Sequence, residues 1–233
     1  MNAESRLVYR LATPEDLDSI LQLVYDNTCR ADEYGETIAA VCNMDVANEE
    51  VQQFWREFVG GVLVKGATYI AVDPAKDDLI VGLRLTEYLT PVEYVQNYLR
   101  SLGKRYAHEP LAKFVRLLLL RRWFPELQDP VAFLEQRGCK RVCFFCSLVV
   151  HREYRLRGVA VHLNRLSLEH AQASGCDSAF VSTGSLGSQK SFERVGFEEC
   201  LSRDYADLKD ESGNQVVTPL NGTKSKKVYF KHL

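Results

Sequence analysis

The stretch from Arg141 to Phe197 constrains the fold more than any other part of the chain, because it places an amphipathic segment between two apolar runs. Arg141–Val150 is rich in Val, Phe and Cys, which is typical of a strand buried on both faces. Apolar residues at near-helical spacing then predict a helix from about Gly158 to Ser174, which Gly175 ends. Asp177–Thr183 predicts a second buried strand. The unit is a strand–turn–helix–strand crossover.

The turn between the first strand and the helix has the composition of an anion-binding site. It carries an R-x-x-G-x-A pattern, formed by Arg155, Leu156, Arg157, Gly158, Val159 and Ala160. The first turn of a helix has unbonded backbone N–H groups and a partial positive charge. Gly158 and Ala160 lack bulky side chains, so a ligand can approach the backbone closely. The pattern therefore predicts a pyrophosphate site, and an ordinary tight turn is the alternative.

These residues resemble the acyl-CoA loop of the GNAT acetyltransferase superfamily. The downstream sequence S-x-x-x-F-E-R-V-G-F, which ends at Phe197, is similar to the next helix and strand of that fold. The chain is more similar still to the insect dopamine branch of the arylalkylamine N-acetyltransferases. That similarity lies in the spacing Y-R-x-x-G-x-A, in Ser185, Ser188, Phe197 and Glu199, and in Tyr205-Ala-Asp-Leu-Lys209. It is strong over about 145–210 and weak in the N-terminal half.

The resemblance implies an α/β fold with a mixed, twisted, seven-stranded sheet and helices on both faces. In that fold the strand at Arg141–Val150 diverges from the strand at Asp177–Thr183, and the pantetheine arm of the cofactor lies in the gap. The backbone of Leu148, Val149 and Val150 is then expected to pair with the pantetheine amides, since an unpaired strand edge needs a partner. The strand and helix order of the whole chain matches this fold. We expect a single domain over 1–233 with a helical insertion at about 92–137.

The activity that the resemblance implies is transfer of the acetyl group of acetyl-CoA to a small-molecule amine. The branch suggests an arylalkylamine such as dopamine, tyramine, octopamine, tryptamine or serotonin. An alkyl ammonium has a pKa near ~10, so it must lose a proton before it attacks the thioester. Two alternatives stay open. One is a GNAT enzyme for a polyamine, a protein amine or a longer acyl donor, and the other is a non-catalytic acyl-CoA-binding protein.

Two serines near the start of the next helix are candidates for the catalytic chemistry. The resemblance implies that one of Ser185 and Ser188 contacts CoA, with Ser188 favoured, and that one hydroxyl protonates the leaving thiolate. Serine also caps helices well, so capping is the alternative role. The chain departs from the branch at one position, because Gly184 occupies the place of the first of its usual paired serines.

Glu33 is the candidate general base. It forms an acidic pair with Asp32, and the dopamine branch has such a pair at a comparable distance after its first strand and helix. The chemistry needs a base, and no histidine cluster supplies one. Solvated loop charges are the alternative interpretation of the pair. His151, which lies in the cofactor turn, could act as a second base, although a solvated turn histidine is the commoner case.

The composition of the chain indicates its cellular compartment and its classes of binding partner. The net charge of −2 over 233 residues gives no reason to expect a nucleic-acid partner. Seven cysteines and an N-terminus without an apolar leader predict a reduced, cytoplasmic location. Cys143 and Cys146 lie three apart on a predicted strand and point to opposite faces, so we expect structural thiols and no metal. The apolar run Leu117–Leu120 is far shorter than the ~20 residues of a membrane span, and nothing in the sequence indicates an oligomeric state.

Overall fold

The structure is a computed structural model that describes residues 7–28, 47–96, 111, 123–209, 212–215, 217–218 and 222–233. The strands are β1 Val8–Leu11, β2 Tyr69–Asp73, β3 Leu79–Leu89, β4 Val142–Val150, β5 Ser178–Thr183, β6 Glu198–Asp204 and β7 Ser225–His232. The helices of the described part are α1 Leu17–Asn27, α2 Glu49–Leu63, α3 Pro130–Glu135, α4 Val159–Ala173 and α5 Leu186–Arg194. Single helical turns lie at Pro14–Asp16, Pro74–Lys76, Pro91–Glu93, Pro125–Leu127, Arg152–Tyr154 and Tyr205–Asp207.

The strands form one mixed sheet in the order β1-β2-β3-β4-β5-β7-β6, which confirms the predicted fold class. Among the strands of the described residues, only β4 and β5 run parallel, and they pair over three positions that end at Phe144 and Phe180. Beyond Phe144 the two strands part, as the resemblance predicts. A β-bulge lies just past this point, because Phe145 pairs with Thr86 whereas Ser147 pairs with Leu85, which leaves Cys146 as an extra residue.

Helices cover both faces of the sheet. On one face, α1 and α2 bury their apolar sides in the main core, which includes Leu83 and Leu85 of β3. On the other face, α4 lies so close to β3 that a Cβ at Gly82 would come within 2.8 Å of Val159 Cγ1. Glycine at this position therefore allows the helix to lie against the sheet. Cys143 and Cys146 pack into the cores of opposite faces, as predicted.

Capping and strand pairing set the ends of several elements. α2 begins in the described part at Glu49, where Asn48 Oδ1 accepts a hydrogen bond from the N–H of Glu50 at 2.8 Å. β3 continues through polar residues to Leu89, because these residues pair with β4. β6 ends at Asp204, where the chain turns.

The predicted helical insertion at about 92–137 is only partly described. Its described part contains the turn Pro125–Leu127 and the helix α3, while 97–110 and 112–122 lie outside the described residues. The insertion and the single-domain organisation therefore stay predictions. None of the described helices is both long enough and apolar enough to span a membrane.

Candidate functional site

The helix start that the sequence predicts as an anion site is formed as expected. Gly158 is the N-cap residue of α4 and adopts a left-handed conformation with φ of +82°, which favours glycine. Gly158 has no side chain to cap the helix, and a Cβ at this position would meet nothing within 4 Å. The positive end of a 15-residue helix therefore begins beside open space at Gly158.

The edge of β4 beside this helix start offers backbone groups to a ligand. The N–H of His151 donates to the carbonyl of Val81 on β3 at 2.9 Å. Because backbone groups alternate along a strand, those of Leu148 and Val150 point to the other edge, which β5 does not reach. The carbonyl of Val150 accepts a hydrogen bond from Arg155 Nε at 3.1 Å. The backbone groups that could pair with pantetheine are thus the N–H and the carbonyl of Leu148 and the N–H of Val150. The N–H and the carbonyl of Val149 point toward β3.

The cofactor turn is held in place by residues from distant parts of the chain. The phenol hydroxyl of Tyr154 donates to Asp73 Oδ2 at 2.5 Å, and burial raises the pKa of this tyrosine, as does the bond to Asp73. The N–H of Arg152 donates to Asn27 Oδ1 at 3.0 Å. Asp73 ends β2 and Asn27 ends α1, so both elements position the turn relative to the sheet.

A basic cleft of about 480 Å³ lies along the first turns of α4. Its charged lining comes from Arg157, Arg165 and Arg194. His162 lies against Tyr9, with ring centroids 4.1 Å apart and the ring planes tilted by 46°. The cleft has the charge that phosphate groups require. Sequence reasoning missed Arg165 and Arg194. Arg165 could have been found, because it follows Gly158 by about two helical turns, but nothing in the sequence places Arg194 beside it.

The two predicted serines lie at the start of α5. Ser185 is the N-cap residue, yet its side chain does not cap the helix. Instead, Thr223 Oγ1 accepts from the N–H of Leu186 at 3.1 Å, and Tyr205 Oη donates to the carbonyl of Gly184 at 3.0 Å. Thr223, which precedes β7, therefore caps α5 in place of the Ser185 side chain.

Ser188 lies in the first turn of α5, is half-buried, and accepts a hydrogen bond from Ser191 through its carbonyl at 2.8 Å. β4 and β5 are parallel and lead into α4 and α5, so both helices begin at the same edge of the sheet. Asn164 Nδ2 of α4 donates to Ser191 Oγ at 3.1 Å and links the two helices. The fold thus brings the predicted serines to the same edge as the cofactor turn.

Of the two candidate bases, Glu33 and His151, the structure describes His151. Glu33 lies outside the described residues, so its role stays a prediction. His151 is described, and its Nδ1 accepts from the N–H of Glu153 at 3.3 Å. Burial lowers the pKa of His151, which keeps the ring neutral at pH 7. Through this hydrogen bond the His151 side chain caps the helical turn Arg152–Tyr154.

Comparison with known proteins identifies the class of this site. The acetyltransferase (GNAT) family matches residues 106–197, which include the predicted cofactor turn and both serines. Arylalkylamine N-acetyltransferase 2 from Aedes aegypti has the same fold, with a TM-score of 0.79, 19% identity, and coverage of 97% of this chain and 99% of that one. No curated protein sequence matches the chain significantly.

Two further solved structures share the fold. The Drosophila melanogaster polyamine N-acetyltransferase, which catalyses the formation of N-acetylagmatine, has a TM-score of 0.76 at 17% identity and covers 98% of this chain and 100% of that one. Arabidopsis thaliana NAA60, solved in complex with acetyl-CoA, has a TM-score of 0.53 at 12% identity and covers 98% of this chain and 99% of that one. The predicted resemblance to the GNAT superfamily is confirmed. Residues 106–197 thus match the acetyltransferase (GNAT) family, and the chain as a whole shares the fold of solved N-acetyltransferases.

Proposed function

We propose that this chain acetylates the primary amine of an arylalkylamine such as dopamine, tyramine, octopamine, tryptamine or serotonin. One observation carries the proposal: β4 and β5 part beyond Phe144, and the uncapped start of α4 lies at the same edge of the sheet. This arrangement has an open strand edge for amide groups and helix N–H groups for phosphates, which are the two chemical parts of a CoA arm. The cytoplasmic location predicted from the cysteine content stays a prediction.

The choice of acceptor rests on similarity in fold. The Aedes aegypti neighbour is an arylalkylamine N-acetyltransferase, and the Drosophila melanogaster neighbour acts on agmatine. Both classes of acceptor present a primary amine. The sequence resemblance to the dopamine branch over about 145–210 favours the arylalkylamines.

Different elements of the chain would bind different parts of the cofactor. The first-turn N–H groups of α4 would bind the pyrophosphate, and Arg157 would add charge at the basic cleft. The free backbone groups of Leu148 and Val150 would pair with pantetheine. The thioester is then expected near the bulge at Cys146, where β4 leaves β5.

Transfer proceeds by direct attack of the amine. Burial raises the pKa of the Cys146 thiol well above its usual value, so the neutral thiol is a poor nucleophile and an acetyl-cysteine intermediate is disfavoured. Glu33 would take a proton from the ammonium group. The amine nitrogen then forms a bond to the thioester carbonyl carbon as the C–S bond breaks. The hydroxyl of Ser185 or Ser188 would give a proton to the departing thiolate, and the second proton lost by the new amide nitrogen would restore that hydroxyl through water.

A thiol-release assay with acetyl-CoA tests the proposal. The amine panel contains tyramine, dopamine, tryptamine, agmatine, spermidine and a short peptide, and a longer acyl-CoA serves as the alternative donor. We expect the highest kcat/KM for an arylalkylamine with acetyl-CoA. Faster turnover of agmatine or spermidine would reassign the acceptor. Binding of CoA by calorimetry without thiol release on any amine would instead indicate a non-catalytic CoA-binding protein.

A further inference from the structure

An ion pair lies on the α1–α2 face of the sheet, next to the point where β4 and β5 part. Glu87 of β3 pairs with Phe144, the last residue of β4 that contacts β5. Its carboxylate forms an ion pair with the ammonium group of Lys65, which follows α2. Cys146 Sγ, at the bulge, lies 4.0 Å from Glu87 Oε2.

The surroundings of Glu87 are apolar. Its neighbours two positions away on the same face of β3, Leu85 and Leu89, both belong to the main core. A carboxylate in such a wall is costly unless a cation pairs with it. Among the described residues, Lys65 is the cation that fills this role. Core packing alone gives no reason for a carboxylate at this position, because an apolar side chain could fill the same space.

The two partners differ in their access to water. The Lys65 side chain is 41% exposed, whereas that of Glu87 is 8% exposed. The lysine can therefore move into solvent while the carboxylate stays fixed in the strand. Lys65 also lies near a second carboxylate, that of Glu93, whose pKa is lowered mainly by hydrogen bonds from Thr90 and further by the charge of Lys65.

We propose that Glu87 is the binding site for the ammonium group of the acceptor, and that Lys65 occupies it when the acceptor is absent. The inference rests on the proposed amine acetyltransferase function. Lys65 ends in the same chemical group as the substrate, a primary alkyl ammonium, so one can replace the other at the carboxylate. Cys146, which contacts Glu87 at 4.0 Å, lies two residues along β4 from Leu148, a separation of about 7 Å, so the site lies on the β4 segment where the thioester is expected.

The proposal also explains how binding and deprotonation are compatible. At neutral pH an alkyl amine is almost entirely in its ammonium form, because its pKa is near ~10. An ammonium group has three N–H donors, so a hydrogen bond to Glu87 leaves others for the general base. Glu87 therefore selects for a cationic acceptor, and removal of the proton is the task of a separate group.

Two substitutions with opposite expected effects test the inference. Lys65→Met removes the competing ammonium, so we expect the KM for tyramine to fall several-fold while the KM for acetyl-CoA is unchanged. Glu87→Gln keeps the shape but removes the charge, so we expect the KM for tyramine to rise at least tenfold. The matched control is Lys227→Met, which breaks the Lys227–Glu199 pair between β6 and β7 at 2.6 Å and should leave both KM values at wild-type levels.

A purely structural ion pair would behave differently. Lys65→Met would then leave a buried carboxylate unpaired and lower the melting temperature, with the tyramine KM unchanged or raised, and that result would overturn the inference. A wild-type tyramine KM in folded Glu87→Gln would overturn it as well. Should Glu87→Gln fail to fold, Lys65→Met decides the question alone.

Failure of the proposed function gives a separate result. In that case the wild type releases no thiol with any amine of the panel. Calorimetric titration of tyramine into the CoA-bound wild type and Lys65→Met then tests the site without turnover. Tighter binding to the variant supports the inference, and equal, weaker or absent binding overturns it.

Discussion

The phenol hydroxyl of Tyr154 and the carboxylate of Asp73 share a hydrogen bond of 2.5 Å that joins the cofactor turn to the end of β2. Both side chains are buried, and Asp73 Oδ1 also accepts from the N–H of Ala75 at 3.0 Å. A buried carboxylate needs such donors to offset its loss of hydration. The bond therefore couples the stability of the sheet edge to the position of the residues that precede Gly158.

Tyr154→Phe removes this bond and should affect both stability and cofactor binding. Loss of a hydrogen bond to a charged, buried partner is expected to cost about 1.5–3 kcal/mol of the free energy of unfolding. The KM for acetyl-CoA should rise several-fold, because the turn loses an anchor. The control is Tyr229→Phe, which removes a similar bond to Glu193 Oε1 at 2.7 Å. An unchanged acetyl-CoA KM in folded Tyr154→Phe would limit the bond to a structural role.

Gly158→Glu should abolish acetyl-CoA binding. The substitution places a negative side chain at the helix start that is proposed to hold pyrophosphate, and it adds the strain of a left-handed φ of +82°. Gly213→Glu is a matched control, since Gly213 has a φ of +83° and open space around it. Calorimetry should show CoA binding to the control and none to Gly158→Glu, with both folded by circular dichroism. Wild-type affinity in Gly158→Glu would refute the site.

The unit β4–α4–β5 could be predicted from the sequence to within one or two residues. Its strands are continuous apolar runs, and its helix lies between Gly158 and Gly175, both of which have positive φ. These signals are local, because each depends on residues that are neighbours in the chain. The start of α4 was predictable for the same reason, since Gly158 and the preceding arginines are adjacent in sequence, and the binding of pyrophosphate there stays a prediction.

Contacts between distant residues could not be predicted in this way. The bulge at Cys146 depends on the register between β3 and β4, which follows from packing of the whole sheet. The pairing of Lys65 with Glu87 joins residues 22 apart, and the cap of α5 by Thr223 joins residues 37 apart. Neither pair has a periodic pattern, so no single-sequence signal indicates which lysine or threonine is used.

Ser188→Ala tests the proposed contribution of α5. Removal of the hydroxyl should lower kcat or raise the KM for acetyl-CoA, because a hydrogen bond to the cofactor or a proton donor is lost. Stability should change little, since the described contact of Ser188 is made by its backbone carbonyl. Ser202→Ala, on the exposed side of β6, is the control. Steady-state constants equal to those of the wild type would leave Ser188 no part in catalysis.

Asp16→Asn should make folding stability less dependent on pH. Arg10 donates to both carboxylate oxygens of Asp16 at 2.7 Å, and this bond is the main cause of the lowered pKa of Asp16. A lowered pKa stabilises the folded state above the unfolded value near ~4, and the effect is lost as pH falls through the folded value. Asn keeps an oxygen that can accept from the N–H of Thr13 but loses the charge that pairs with Arg10, so the variant should lose about 1 kcal/mol at neutral pH.

Thermal unfolding as a function of pH measures the effect of Asp16→Asn. The difference in melting temperature between the wild type and Asp16→Asn should be largest at neutral pH and should close in strong acid. Asp18→Asn is the control, because its pair with Arg56 is exposed on both sides and should matter little. A difference that persists in strong acid would show that the carboxylate charge is not the cause.

Glu33→Ala tests the general base that the sequence resemblance predicts. The variant should lose on the order of 10²-fold in kcat, the usual size of a general-base effect. A base must be deprotonated to act, so wild-type turnover should fall as pH drops below the pKa of that base, and the variant should lack this acidic limb. Affinity for acetyl-CoA should stay near the wild-type value, since the proposed cofactor contacts come from β4 and α4. The measurements are kcat over about pH 5 to 9 and the calorimetric Kd of CoA. Asp32→Ala is the control for loss of a neighbouring charge, and an unchanged pH profile in Glu33→Ala would direct the search to Glu36, Asp45 or His151.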